Sequence, residues 1–199
     1  YQPNYKFNQL FSDILTQKLN SFIITGSKTD WNFLNNSQPY FKQDISGQLQ
    51  DLYPVYNDNF LQFQFEDIGF SKFPPLENSF GKLNITSENS NVLLSQKVEG
   101  INTNNPLLAI FQNNEIKTGV LFGENIWKWR AETFRITESF ETFDDFIGKY
   151  MQYLSSSKKR DRLTVELEPF YLENESIFIN AQYFDENYVF NPDATLNIS

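Results

Sequence analysis

Between residues 7 and 19, Phe7, Leu10, Phe11, Ile14, Leu15 and Leu19 recur at spacings of three and four, with polar residues between them. That period places the apolar side chains on one face of a helix. The run Phe22-Ile23-Ile24 follows and stops at Gly26. Its shortness predicts a buried strand, and the Ser, Lys, Thr and Asp after it suit the carboxyl end of a sheet, where crevices open. A helix feeding a buried strand predicts an α/β unit whose first strand lies upstream of Tyr1. From 30 to 80 the pattern loosens. Asn, Gln, Asp and Ser alternate with single aromatics, and Pro39, Pro54, Pro74 and Pro75 punctuate them. Long loops pinned by aromatic rings are expected there, with one short strand where Leu61, Phe63 and Phe65 alternate with Phe60, Gln62 and Gln64.

Regularity returns in the middle of the chain. Val92-Leu93-Leu94 reads as a strand, and Leu107–Phe111 and Thr118–Phe122 read as a hairpin turning at Asn113-Asn114 and closing at Gly123. Phe143, Phe146, Ile147, Tyr150 and Leu154 form one stripe, predicting a helix over 140–155 with Ser139 as its N-cap and Glu141 in its first turn. Beyond Ser155-Ser156-Ser157 the period becomes two: Leu163, Val165 and Leu167, then Ile177 and Ile179, then Ala194, Leu196 and Ile198. Short alternating strands with turns such as Asp185-Glu186-Asn187 predict antiparallel β structure. The boundary falls near 158–162. Residues 1–160 are expected as an α/β domain and 161–199 as the opening strands of a sandwich-like domain, too short to stand alone.

Charge and composition narrow the chemistry. The chain of 199 residues carries 25 acids against 16 Lys and Arg, a formal charge of -9, and 21 Phe, 10 Tyr and 3 Trp. So acidic a chain repels phosphate backbones, and the cluster Lys158-Lys159-Arg160 with Arg162 does not offset that, so nucleic acid is not an expected partner. Cysteine and histidine are both absent. That excludes disulfides, thiol nucleophiles, Cys-based zinc sites and a Ser-His-Asp triad. The chain opens YQPNYKF without a methionine, so a longer polypeptide is expected around it.

The segment LFGENIWKWR at 121–130 is the densest candidate. Trp127 and Trp129 can lock a strand to a helix, with Glu124 or a backbone carbonyl accepting from an indole, or they can face a stackable ligand. Arg130 can stack on an indole or pair with Glu132 or Glu124. The lock is the expected answer. A second candidate is Gly26-Ser27-Lys28-Thr29-Asp30-Trp31, a strand-end loop with one glycine where phosphate-binding loops need two or three. A structural turn is expected, with a small-ligand crevice as the alternative; its lining would be Ser27, Asp30, Trp31, Tyr53, Glu124 and Trp127. Among the acids, Asp144 and Asp145 are neighbours on a helix and diverge. Asp51, Asp58, Glu66 and Asp67 lack the spacing of a calcium loop, so no metal and no cofactor is expected. Asn35-Asn36-Ser37, Asn84-Ile85-Thr86 and Asn174-Glu175-Ser176 match the glycosylation pattern, as a chain rich in Asn and Ser does by chance.

Taken in order, the glycine loop at 25–31, Tyr53-Pro54-Val55, the hairpin running into Gly123-Glu124, Trp127-Lys128-Trp129-Arg130, the Phe-rich helix and Arg162-Leu163 form a familiar series. It resembles the class I glutamine amidotransferase-like region of Bacteroidetes membrane-anchored proteins that contain a von Willebrand factor A domain. The resemblance spans most of 1–167, and 168–199 is similar to the β segment that follows in that family. It implies a flavodoxin-like three-layer α/β core, followed by the short antiparallel segment. It also implies exposure on the periplasmic side of the cytoplasmic membrane within a membrane-anchored protein. It does not imply glutaminase activity, because a class I amidotransferase needs Cys and His and this chain has neither. The expectation is therefore a non-catalytic structural or protein-interaction region, partnered by other domains of its own polypeptide or by envelope proteins. The alternative is a binding module for a glycan or peptide at the 26–31 loop.

Overall fold

The computed structural model describes residues 5–60, 62–63, 66–87, 89–114, 116–156, 163–166, 180–183 and 194–195. The helical period near the amino terminus forms α1, Tyr5–Thr16, and the apolar run after it forms β1, Ser21–Thr25. Order then continues through the stretch expected as loops. Asp30 caps a short helix, α2, Trp31–Ser37, and β2, Phe41–Gln43, and β3, Leu49–Tyr56, follow. A 3-10 turn at Phe70–Lys72 leads to β4, Leu76–Ser79, and β5, Leu83–Ile85. The expectation of long loops is corrected there. The described residues of the alternation at 60–65 lie in no strand; Phe63 is buried instead, its ring 5.0 Å from Phe60 and 5.4 Å from Tyr153.

β6, Ser90–Val98, β7, Ile101–Asn113, and β8, Ile116–Phe122, form consecutive hairpins. Glu99 and Gly100 both take positive φ, 49° and 82°, which matches the twist of the strands that they join. Asn114, at φ 55°, occupies the turn expected there. Two helices complete this part: α3, Trp127–Thr137, and α4, Glu141–Ser155. The Ser139 hydroxyl accepts from the Glu141 amide at 3.1 Å, but Phe140 holds the N-cap position.

The large sheet runs β1-β8-β7-β6-β3-β4. β1 lies parallel to β8, Ser21 opposite Thr118 and Thr25 opposite Phe122; the other pairings in this sheet are antiparallel. A flavodoxin-like core carries a parallel sheet, whereas parallel pairing here is confined, among the described strands, to β1–β8. The result is a mixed α/β fold. Its sheet curls nearly shut, because Glu77 of β4 bridges to Glu124, just past β8, with the Glu124 amide 2.9 Å from the Glu77 carbonyl.

Side chains alternate across the sheet, so the strands divide their apolar residues between two cores. Leu108, Ile110 and Leu121 join Trp129, Phe143, Phe146, Tyr150 and Leu154 on the α3–α4 side. Ala109, Phe111, Val120 and Phe122 join Phe11, Trp31, Leu34, Phe41 and Leu83 on the other, beneath α1, α2 and the β2–β5 pair. The layering is thus helix, sheet, helix. Burying each such Phe or Leu contributes about 1.5–3 kcal/mol. Rings meet edge to face across the first core, Phe70 lying 5.9 Å from Trp129 and 5.1 Å from Phe146.

The chain divides into two compact units, Tyr1–Ser157 and Lys158–Ser199. In the second, β9, Leu163–Glu166, pairs antiparallel with β10, Asn180–Tyr183. The basic cluster at 158–162, the alternation at 177–179 and the turn at 185–187 lie outside the described residues.

Candidate functional site

The carboxyl ends of β1 and β8 lie side by side, so their exit loops, 26–30 and 123–126, share one end of the sheet. Gly26 and Thr29 close a tight turn: the Gly26 amide donates to Thr29 Oγ1 at 2.8 Å and the Thr29 amide donates back to the Gly26 carbonyl at 3.2 Å. Ser27 Oγ donates to Glu124 Oε1 at 2.6 Å. Gly26 is required by that contact, since a methyl group on it would collide with the Glu124 carboxylate. Asp30 accepts from the Phe33 amide at 3.0 Å and so starts α2. Trp31 is only 3% exposed and belongs to the second core; its ring N–H has no hydrogen-bond partner among the described residues.

Of the six residues nominated from sequence, Ser27 and Glu124 touch, Asp30 shares the loop with Ser27, and Trp31 opens α2 and turns into the core. Tyr53 does not join them. It sits on β3, separated from β8 by β6 and β7, with Lys97 Nζ 5.8 Å from its ring centre. Trp127 opens α3 only three residues after Glu124 and is 63% exposed, its ring N–H reaching Asn125 Oδ1 at 3.4 Å. The two indoles therefore separate in role. Trp129 is fully buried, donates to the Pro74 carbonyl at 2.8 Å and packs on Phe70 and Phe73. It locks α3 to the 70–74 segment that leads into β4, in place of the strand expected as its partner. Arg130 takes neither of its expected positions: it pairs bidentately with Asp144 at 2.7 and 2.8 Å and lies 3.9 Å from the Phe140 ring centre. Glu132 pairs instead with Arg135.

Charges around this end of the sheet are mostly engaged. Lys128 Nζ lies 2.8 Å from Glu77 Oε1, and Asn125 donates to the same oxygen at 3.3 Å. The hydrogen bond and charge of Lys128 hold the Glu77 carboxyl below its usual range. Arg130 does the same for Asp144, and Arg135 for Glu132, the hydrogen bond leading in each case. The Ser27–Glu124 hydrogen bond ties the loop after β1 to the loop after β8, and among the described residues no third side chain is hydrogen-bonded to the pair.

A feature that the sequence does not reveal lies on the α4 side. Glu66 and Ile68 face Glu141, Thr142, Asp145, Phe146 and Lys149 across an open cleft of about 620 Å³. Only the fold brings the 66–68 loop to the first turns of α4; Asp145 diverges from Asp144 as helical spacing requires, and this turn carries it to the cleft. Nearby, burial together with Asp58, Asp67 and Glu66 raises the Tyr56 hydroxyl above its ordinary value. Among the described residues no three His, Cys, Asp or Glu side chains converge as metal ligands do. No helix among them is long and apolar enough to cross a membrane. Compared with models of protein families, with curated proteins and with solved structures, the chain gives no match.

Proposed function

We propose that this chain is a non-catalytic structural and protein-interaction region of a larger cell-envelope protein, with other domains of that polypeptide and envelope proteins as its partners. The observation that carries the proposal is the exposed apolar side of α3 and the turn after it. Trp127 is 63% exposed; Phe134, seven residues on and therefore on the same face of α3, is 45% exposed, and Phe140, 37% exposed, stacks on the Phe134 ring at 4.6 Å. Large apolar side chains gathered on one surface are the mark of interaction sites, and Trp is prominent among the residues that dominate binding energy. The engagement of Ser27, Asp30 and Glu124 in bonds within the fold, in a chain without Cys or His, supports the non-catalytic part. The envelope setting rests on the family resemblance alone.

Acrylamide quenching tests the interaction part, because Trp31 and Trp129 are buried and Trp127 is not. In the isolated chain, Trp127→Phe should remove the quenchable emission. In the longer polypeptide, or with its neighbouring domains added, Trp127 should become shielded. Equal quenching in both settings counts against the proposal, and a hydrolytic activity abolished by Ser27→Ala or Glu124→Gln overturns its non-catalytic part. A second reading, a small polar ligand held at 26–31, draws support from the Ser27–Glu124 pair at the carboxyl end of the parallel strands. Saturable shifts in Trp127 emission with short glycans, lost in Ser27→Ala, would favour it.

A further inference from the structure

The two edges of the six-stranded sheet are finished differently. At one edge β4 is shielded: Pro74-Pro75 lead into it, and Glu77 bridges to Glu124. At the other edge β1 pairs, among the described strands, with β8 alone. A strand bonded on one side turns alternate N–H and C=O groups outward, and the described residues supply no partner for those of Ser21–Thr25. Burial agrees with an open edge. Lys117–Phe122 of β8 are buried, whereas Ser21, Phe22 and Ile23 are half-buried and Ile24 is 51% exposed. Soluble proteins blunt such edges with lysine, proline or a bulge within the strand. SFIIT carries no charge and no proline, and its pairing with β8 is regular throughout.

We propose that β1 is a docking edge for an extended peptide strand of a partner protein, uncharged in its middle and acidic at both ends. Backbone groups of the added strand satisfy the outward groups of β1, and one of its apolar side chains covers Ile24. Charge selects the ends. Lys18 stands three residues before β1 and Lys28 three residues after it, and both are exposed. A second copy of this chain is the wrong occupant for the same reason. With Ile23 on the twofold axis of an antiparallel pair, the turn carrying Lys18 in one copy and the turn carrying Lys28 in the other come to the same end of the joined strands, so like charges gather at both ends.

The test uses the full chain labelled with nitrogen-15 and two synthetic peptides, EDTVTVTVDE and KKTVTVTVKK. The acidic peptide should shift the amide resonances of 21–25, slow hydrogen exchange at the outward amides of β1, and bind about tenfold tighter than the basic one at low salt. Lys18→Glu with Lys28→Glu should reverse that preference. Ile24→Lys, at an exposed side chain, should abolish binding while leaving the rest of the spectrum native. The proposal is overturned if the shifts fall elsewhere, if neither peptide binds at about 1 mM, or if both bind alike. Outward amides already protected in the free chain overturn it too, as does a dimer that Ile24→Lys dissolves. These signals come from β1, whereas Trp127 quenching comes from α3, so either surface can fail without the other.

Discussion

At the scale of single residues, the fold depends on places where a side chain has to be missing. A Cβ on Gly123 would stand 2.6 Å from the Leu76 Cβ, so β4 reaches the end of β8 only because position 123 has none. Gly123→Ala should cost about 1–3 kcal/mol, read from chemical denaturation, since β-carbons cannot rotate out of the way. Gly119 likewise leaves room for the Tyr150 hydroxyl and for Leu154. That hydroxyl donates to the Ala109 carbonyl at 3.1 Å, and burial pushes its pKa well above the ordinary 10.0. An unfolded tyrosine ionises near 10 while the folded one holds its proton. The stability linked to Tyr150 is therefore complete below pH 10 and falls as pH climbs above it. Tyr150→Phe should lower stability at neutral pH by about 1 kcal/mol and flatten that alkaline decline, which urea midpoints at neutral and alkaline pH will measure. Gly123 was legible as the end of a strand, but the neighbour that forbids a side chain there was not, because Leu76 lies far off in sequence.

At the scale of elements, Lys117 shows how a strand can finish a helix. It is 6% exposed, and its Nζ donates to the carbonyls of Tyr153 and Ser156 at 3.0 and 2.9 Å and to Ser156 Oγ at 2.7 Å. A cation there meets the negative end of α4 and the carbonyls that the helix leaves unpaired. Lys117→Met should destabilise the protein by about 2 kcal/mol and speed hydrogen exchange in the last turn of α4 ahead of the rest. α4 itself was plain in the sequence, because its stripe faces a single core. α3 was not, because Trp129 and Thr133 turn inward while Trp127, Phe134 and Ile136 stay outside, which blurs the period. β3 was concealed by Pro54. That residue pairs with Gln96 of β6 beyond Leu52, the last partner of β4, so no described strand pairs with its other side, the edge-like setting in which a strand tolerates proline.

At the scale of the whole molecule, the excess of acid is partly used. Glu77, Glu132 and Asp144 are each held below their ordinary pKa by a basic partner, so each is ionised more firmly in the folded chain. Their contribution is intact above the unfolded values, 4.5 for Glu and 3.8 for Asp, and is lost as pH falls through the lower folded values. Glu77→Gln should make the loss of stability between pH 7 and about pH 3 shallower, by a small margin because the pair is partly exposed. The alternation of helix and strand made a mixed α/β domain legible. The strand order and the near-closure at Glu77 and Glu124 were not, since hydrophobic period reports which face is buried and not which strand lies alongside. For the site, the sequence located the loop and the Trp block; the Ser27–Glu124 contact and the cleft beside α4 arise only when distant segments meet.

The parallel seam between β1 and β8 also bears on time. Ser21 and Thr118 are 97 positions apart, so the first strand leaves the ribosome long before its mate exists. At roughly 5–20 residues per second, β1 waits on the order of 5–20 s as an uncharged, apolar segment with nothing to hold it. Through that interval SFIIT is exposed to pairing with other extended segments, and the seam it belongs to can close only after Phe122 has emerged.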